Sequence, residues 1–346
     1  MVDRDVLDSL DMVGAAFGLP EQVDAAAAAA GAVDGLPSGA GVTSVVVLGM
    51  GGSGIGGDVC AAIGGPVCRV PILVSKHYEC PTFVGPDTLV FAVSASGNTE
   101  ETIEAVGRAR SAGARIVVVS AGGELSRLAG EWGVPLIGVD DTIPMPRAAI
   151  GAVSIPLLVV LERLGLVDGV TAQIDATVTQ LRRRREQLHQ PGNDAERLAA
   201  RIGGTLPLVY GGGPIGEVAA WRWKGQFNEN PKVPAFCNRI PELTHNELAG
   251  WAQHGDVTRQ VFSLLLLRHD FEHPHVSRRF DFVISSCDEV VADVHTVRAE
   301  GDGPLAQLMD LVMQGDLVTL HLALRSGVDP GPIAVLEDLK HWLRGG

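Results

Sequence analysis

The sequence has no C-x-x-C pair, no long hydrophobic run and no excess of positive charge, and each absence removes a class of function. Its five cysteines (Cys60, Cys68, Cys80, Cys237 and Cys287) are odd in number and widely spaced. This argues against a disulfide framework and a zinc knuckle, and reduced, mostly buried thiols are expected. The apolar run AVSIPLLVVL, beginning at Ala152, is too short to cross a bilayer. The opening stretch MVDRDVLDSLDMVG mixes acids into its first turns and lacks the basic-then-apolar order of a secretory signal, so a cytoplasmic location is expected. A formal net charge of -14 repels polyanions, which makes nucleic acid and anionic membrane surfaces unexpected partners. The one dense basic stretch, LRRRRE at 181–186, reads as the charged face of a helix.

With 46% hydrophobic and 20% charged residues over 346 positions, the chain has the composition of a folded protein long enough for two domains. Between 41 and 141 the short runs SVVVLG, PILVS, TLVFAVS, RIVVVSA and PLIGVDD alternate with glycine-rich or helix-like segments, the pattern of a parallel sheet wrapped by helices. In NTEETIEAVGRARSAG, Asn98 or Thr99 can cap a helix, acids fill its first turn, arginines come late and Gly113 can end it. Arg147–Leu166 and Val170–Leu188 read as long helices, and HQPGND at 189–194 as a linker. Beyond it, TLPLVYGGGPIGEVAAWRWKGQF repeats the order strand, glycine turn, helix, so an internal repeat is expected. Further strands are expected at VPAFC, FSLLLLR and FDFVISS, and two helices close the chain. The expectation is an α/β protein with an N-terminal helical segment (1–40), a first domain (41–190) and a second (191–346).

The stretch GMGGSGIGGDV at 49–59 satisfies the dinucleotide pattern G-x-G-x-x-G in two registers. A dinucleotide fold also wants an acid at the end of the second strand, and PILVSK ends in Ser75 and Lys76. A P-loop is excluded, because no Lys and hydroxyl follow the glycines. A single phosphate fits better, since it needs converging hydroxyl and N–H donors at helix starts. SASGNTEET supplies Ser94, Ser96 and Thr99 at the end of the third strand, while Gly52 and Ser53 lie at the end of the first. In a parallel sheet these ends share one edge, so the hydroxyls can surround one anion. Each is otherwise a helix cap or turn former.

The pairing of GMGGSGIGG with SASGNTEET resembles the SIS (sugar isomerase) domain. PMPRAAIG, WRWKGQFNENPKVPAF, PELTHNELAGW, EHPHVSRRF and GVDPGPIAVLEDLK are similar, in order, to one branch, the bifunctional phosphoglucose/phosphomannose isomerases. The likeness spans roughly 40 to 344, with NENPKVPAF and PELTHNE its most specific stretches. It implies two SIS domains, each a three-layer α/β/α sandwich, acting on hexose 6-phosphates without cofactor or metal. Ser53 would then be a phosphate ligand, with the glycines letting the sugar approach the backbone. Two departures stand out: Ala95 replaces an aromatic of the family's S-Y-S-G-N-T, and YGGGPIG has Gly212 where a serine would be expected among the glycines.

Isomerisation of a hexose phosphate needs a base for C2 and C1, a cation beside the enediolate and an acid/base to open the ring. Glu229, in NEN at a predicted helix end, is the candidate base, effective where partial burial raises its pKa; without the resemblance it reads as an exposed helix-end acid. His245 in PELTHNEL suits ring opening, because imidazole exchanges protons near neutral pH; capping or packing is its ordinary alternative. The resemblance implies that it acts in the partner subunit's site, hence a homodimer. Arg147, after a proline at a helix start, can stabilise the enediolate or be a surface arginine or ion pair. Lys340 matches the family's C-terminal lysine that assists ring opening; from sequence alone it is an ordinary helix lysine. In RHDFEHPHVSRR, His269, His273 and His275 lie near Asp270 and Glu272, but the stretch reads as a solvated loop and no metal is expected. An alternative function is a non-catalytic SIS module that senses a sugar phosphate; the short acidic N-terminus shows no DNA-binding helix-turn-helix.

Overall fold

The structure, a computed structural model, describes residues 7–345, apart from the side chains at 340, 344 and 345. Among the described residues, helices α1 (Met12–Phe17) and α2 (Leu19–Ala32) precede the first sheet. There follow β1 (Ser44–Leu48), α3 (Gly51–Gly64), β2 (Ile72–Ser75), β3 (Thr88–Ser94), α4 (Glu100–Ser111), β4 (Arg115–Ser120), α5 (Gly123–Trp132) and β5 (Leu136–Gly138). A 3-10 turn (Pro146–Ala149) leads into α6 (Ile150–Arg163), α7 (Val170–Leu188) and α8 (Asp194–Ile202). The second sheet region comprises β6 (Leu206–Gly212), α9 (Gly213–Glu229), β7 (Phe236–Ile240), α10 (Glu247–Gly250), α11 (Gly255–Val261), β8 (Phe262–Arg268), α12 (Pro274–Cys287) and β9 (Asp293–Arg298). Two helices, α13 (Pro304–Arg325) and α14 (Ala334–Gly345), follow.

Both sheets are wholly parallel, ordered β2-β1-β3-β4-β5 and β7-β6-β8-β9. The first four strands of each therefore follow one topology, as the expected repeat requires. Side chains alternate across a strand, and here the two faces feed different cores. Val45 and Val47 of β1 join a large central cluster, whereas Val46 and Leu48 pack with α4 and α5. On β8, Leu265 and Leu267 enter the same central cluster, and Leu264 and Leu266 pack with α12. The central cluster thus lies between the sheets and is filled by α3, α6, α7, α9 and α13. Burial on both faces explains why β3, TLVFAVS, is buried at every position.

Several expectations are corrected. FDFVISS is not a strand but the second half of α12, since Val276, Phe280, Val283 and Cys287 recur with helical spacing and are buried together. The missing strand is β9, DVHTVR, whose polar residues sit on an edge. VPAFC is shifted: the strand begins only at Phe236. The helix expected from Arg147 opens as a 3-10 turn and becomes α-helical at Ile150. Thr99 occupies the N-cap position of α4 without a side-chain capping bond, and Asn98 accepts instead from the Glu124 N–H. Arg184 of LRRRRE is buried, donating from Nε and Nη2 to Asp310 at 2.7 and 2.9 Å, so that stretch is not simply a solvated face. Among the described residues no helix is long and apolar enough to cross a membrane.

Candidate active site

Strands β1 and β3 are parallel neighbours, so their carboxyl ends bring the glycine loop and the SASGNT loop together. The join is direct: the Ala95 N–H donates to Ser53 Oγ at 3.1 Å. Ser53 is buried. Ser94 is fully buried; its Oγ accepts from the Gly97 N–H at 3.0 Å and bonds Thr99 Oγ1 at 2.8 Å. Ser53, Ser94 and Thr99 therefore stiffen the loop they belong to. Ser96 is exposed and, with Ala95, Asp140, Asp141 and Met145, lines a cleft of about 200 Å³. Gly97 has φ +70°, and a Cβ there would fall 1.8 Å from the Gly122 carbonyl, so only glycine fits.

Several glycines behind β1 serve packing. A Cβ at Gly56 would meet the Val153 carbonyl at 3.0 Å, and one at Gly57 would meet Val47 at 2.9 Å. At Gly52 it would lie 3.1 Å from the Pro146 carbonyl. That close approach seats the 146–149 turn on the start of α3 and places Arg147 beside the Ser53 loop.

Arg147 is no surface residue, being 3% exposed. Its Nε donates to Asn230 Oδ1 at 2.9 Å, and Nη2 donates to the carbonyls of Gly331, at 2.8 Å, and Pro330. Nη1 faces Glu229 Oε2 at 3.7 Å. Burial pushes the guanidinium below its usual pKa, and Glu229 opposes that shift by favouring the cation. Glu229 is the last residue of α9, with a side chain 34% exposed. The helix is held by Arg222 and Gln226, which both donate to Asp316 of α13. Asn230, fully buried, continues the network by donating to Thr319 Oγ1 at 3.0 Å.

The fold therefore gathers Gly52, Ser53, Ser94, Ser96, Thr99, Arg147 and Glu229 along one path of contacts. His245 ends a 3-10 turn after β7, exposed and with no hydrogen-bond partner for its ring among the described residues. Within one chain it is not joined to Arg147 or Glu229. Lys340 falls in α14, but its side chain lies outside the described residues. Asn230 and Lys232 were not singled out from sequence; their signal was the NENPK stretch itself, a polar cluster interrupted by Pro231.

In the second sheet the corresponding corner is closed. Ile215, two residues after the positive-φ Gly213, stands where Ser53 follows Gly51. The loop after β8 is exposed at Asp270, Phe271, His273 and His275, as expected of a solvated loop, while His269 and Glu272 turn inward. Glu272 accepts from Arg268 Nε and Nη2 and from the His269 N–H, and His269 Nε2 bonds the Gly212 carbonyl at 2.8 Å. A carboxylate of the chain's own fills this loop. Among the described residues no group of three or more His, Cys, Asp or Glu side chains is arranged to hold a metal.

Comparison with known proteins agrees with this fold. A family described as the bacterial phospho-glucose isomerase C-terminal SIS domain matches residues 192–343. The chain is 34% identical over 336 residues to the bifunctional phosphoglucose/phosphomannose isomerase of Caldicellulosiruptor bescii, covering 96% of this chain and 98% of that one. The enzyme of the same name from Aquifex aeolicus is 34% identical over 305 residues, 87% of this chain and 90% of that one. Among solved structures, the C-terminal domain of glucosamine-fructose-6-phosphate aminotransferase from Francisella tularensis is similar with a TM-score of 0.68, at 15% identity over 93% and 97% of the two chains. A glucose-6-phosphate isomerase-like protein from Thermus thermophilus gives 0.60 at 19% identity, over 97% and 96%. At those identities the structural likeness speaks for the fold, whereas the identity to the first two enzymes spans nearly the whole chain: the chain belongs to the family of bifunctional phosphoglucose/phosphomannose isomerases.

Proposed function

We propose that this chain interconverts glucose 6-phosphate and mannose 6-phosphate with fructose 6-phosphate by proton transfer through a cis-enediolate. The observation that carries the reading is the buried Arg147 facing Glu229, beside a loop rich in hydroxyls and helix-start N–H groups. The substrate phosphate sits at that loop, held by Ser53, Ser94, Ser96, Thr99 and the backbone at Gly52, with the uncapped start of α4 supplying N–H donors. Thr99 and Ser94 exchange part of their mutual hydrogen bonding for the anion.

Glu229 removes the C2 proton of the open-chain aldose, and the electron pair forms the C1–C2 double bond of the enediolate. Arg147 compensates the negative charge that builds on its oxygens. Glu229 then returns the proton to C1 while the proton of the C2 hydroxyl passes to O1, which leaves the ketose carbonyl at C2 and a hydroxyl at C1, and no metal or cofactor takes part. Glucose and mannose phosphates differ only at C2, so one enediolate serves both. His245 of the partner subunit and Lys340 open and close the ring, which makes a homodimer the active unit. The two SIS units are residues 41–190 and 191–346, and the enzyme works in the cytoplasm.

The test is a coupled assay of chelator-treated protein with each hexose 6-phosphate. Glu229→Gln is expected to abolish turnover and solvent-hydrogen exchange at C2 while leaving competitive inhibition by inorganic phosphate intact. A folded dimer with no turnover of either sugar pair would overturn the reading.

A further inference from the structure

We propose that Lys232 is a positioning residue for Glu229, its ammonium pinning the end of α9 to the 329–331 turn that Arg147 also holds. Lys232 adopts φ +58°, a left-handed conformation that a side chain with a Cβ enters only at a cost. That conformation brings Nζ to three carbonyls: Glu229 at 2.9 Å, Asp329 at 2.8 Å and Pro330 at 3.2 Å. An ammonium has three N–H bonds. All three are committed, so Nζ has no proton to spare for substrate, and Lys232 acts through position.

Each bond has a local reason. The Glu229 carbonyl belongs to the last turn of α9, where carbonyls lack intrahelical partners and the helix end carries partial negative charge. A cation bound there satisfies an orphan acceptor and favours the helix terminus. The Pro330 carbonyl accepts from Lys232 and from Arg147 Nη2, so one oxygen links the cation of the 146–149 turn to the cation after α9. The turn is itself stiff: the Gly331 N–H donates to Asp329 Oδ1 at 2.9 Å, and Gly331 lies so close to Leu10 that a Cβ would come within 2.9 Å.

Without this latch, among the described residues the backbone at the helix end carrying Glu229 would be tied to Arg147 through Asn230, leaving the side-chain contact of Glu229 with Arg147 to hold its own geometry. Proton transfer is steep in distance, and misplacing a reacting group by about 1 Å costs about 10²-fold. No hydrogen bond among the described residues joins the SASGNT loop to Lys232, so phosphate binding should not sense the loss.

This inference rests on Glu229 being the base, and the experiment separates the two. Turnover of fructose 6-phosphate and deuterium uptake at C2 of the glucose 6-phosphate formed are measured for the wild type, Lys232→Met, Lys232→Arg and Glu229→Gln. Lys232→Met should lower kcat and deuterium uptake by about 10²-fold, with KM within about twofold of the wild type. Lys232→Arg, which can donate to the same carbonyls, should recover about tenfold of that loss. If Lys232→Met does not fold, Lys232→Gln carries the comparison, since its amide retains donors: kcat should fall with KM kept. A kcat unchanged in these variants, or kcat, KM and thermal stability declining together without rescue by arginine, overturns the latch. Should Glu229→Gln retain deuterium uptake, the assignment of the base fails instead.

Discussion

Arg147 Nη1 lies 3.7 Å from Glu229 Oε2, and it is a buried nitrogen without a hydrogen-bond partner among the described residues. Burying a charged donor unpaired is costly, and the other guanidinium nitrogens are engaged by Asn230, Pro330 and Gly331. In the proposed reaction an oxygen of the substrate would complete this unused donor. Arg147→Lys keeps the charge but loses the planar fork. It should therefore lower kcat/KM by about 10²–10³-fold, or about 2.7–4 kcal/mol of transition-state stabilisation. Steady-state kinetics check this, with inorganic phosphate inhibition expected to be unchanged.

Gly97 makes a different prediction, about binding. Its φ of +70° and the 1.8 Å approach to the Gly122 carbonyl leave no room for a methyl group. Gly97→Ala must displace the loop, breaking the bond from its N–H to Ser94 Oγ. The expected result is a rise in KM and in the inhibition constant for phosphate, with stability lowered by more than about 1 kcal/mol. Phosphate titration and urea unfolding measure the two effects separately.

The helix bearing Glu229 depends on one buried carboxylate. Asp316 accepts from Arg222 Nε at 3.0 Å, Arg222 Nη2 at 2.8 Å and Gln226 Nε2 at 2.9 Å. Removing one partner of a buried pair leaves the other charge uncompensated, so Asp316→Ala should cost about 3–5 kcal/mol. The unfolding midpoint in urea should fall accordingly. A loss below about 1 kcal/mol would mean that water reaches Arg222 and replaces the carboxylate.

What the sequence made legible follows the strength of its local signals. β3 and β8 were placed to the residue because each is an apolar run buried on both faces. The SASGNT loop was legible as a hydroxyl-rich turn because its serines and threonine lie at a strand end. DVHTVR was missed because an edge strand with His, Thr and Arg offers no apolar alternation. FDFVISS misled because its β-branched residues suit a strand, while its buried positions follow a helical period that only packing reveals. Arg147 and Glu229 were legible as residue types but not as a pair, since the contact joins positions far apart in sequence. Lys232 was hidden for another reason: nothing in Asn-Pro-Lys announces a left-handed backbone.

The second-sheet loop sets a pH dependence of stability. His269 is buried; its Nε2 donates to the Gly212 carbonyl, and its Nδ1 accepts from the Phe271 N–H at 3.2 Å, which fixes the neutral tautomer. Burial lowers its pKa, and Arg268 adds to that, while the Gly212 bond, Glu272 and Asp270 oppose it. His295, also buried, shifts in the same direction, with burial again the first cause. In the unfolded chain histidine titrates near about 6.5, so below that pH the unfolded state binds more protons than the folded one. The stabilisation is therefore full above about pH 6.5 and is lost as pH falls from there toward the lower folded value. Urea midpoints measured at about pH 7.5 and about pH 5.5 should differ, the acid one being lower. His269→Gln removes one of the two titrating groups, so its midpoint should fall less between the same conditions. An equal fall in variant and wild type would show that His269 takes up its proton without leaving the folded state.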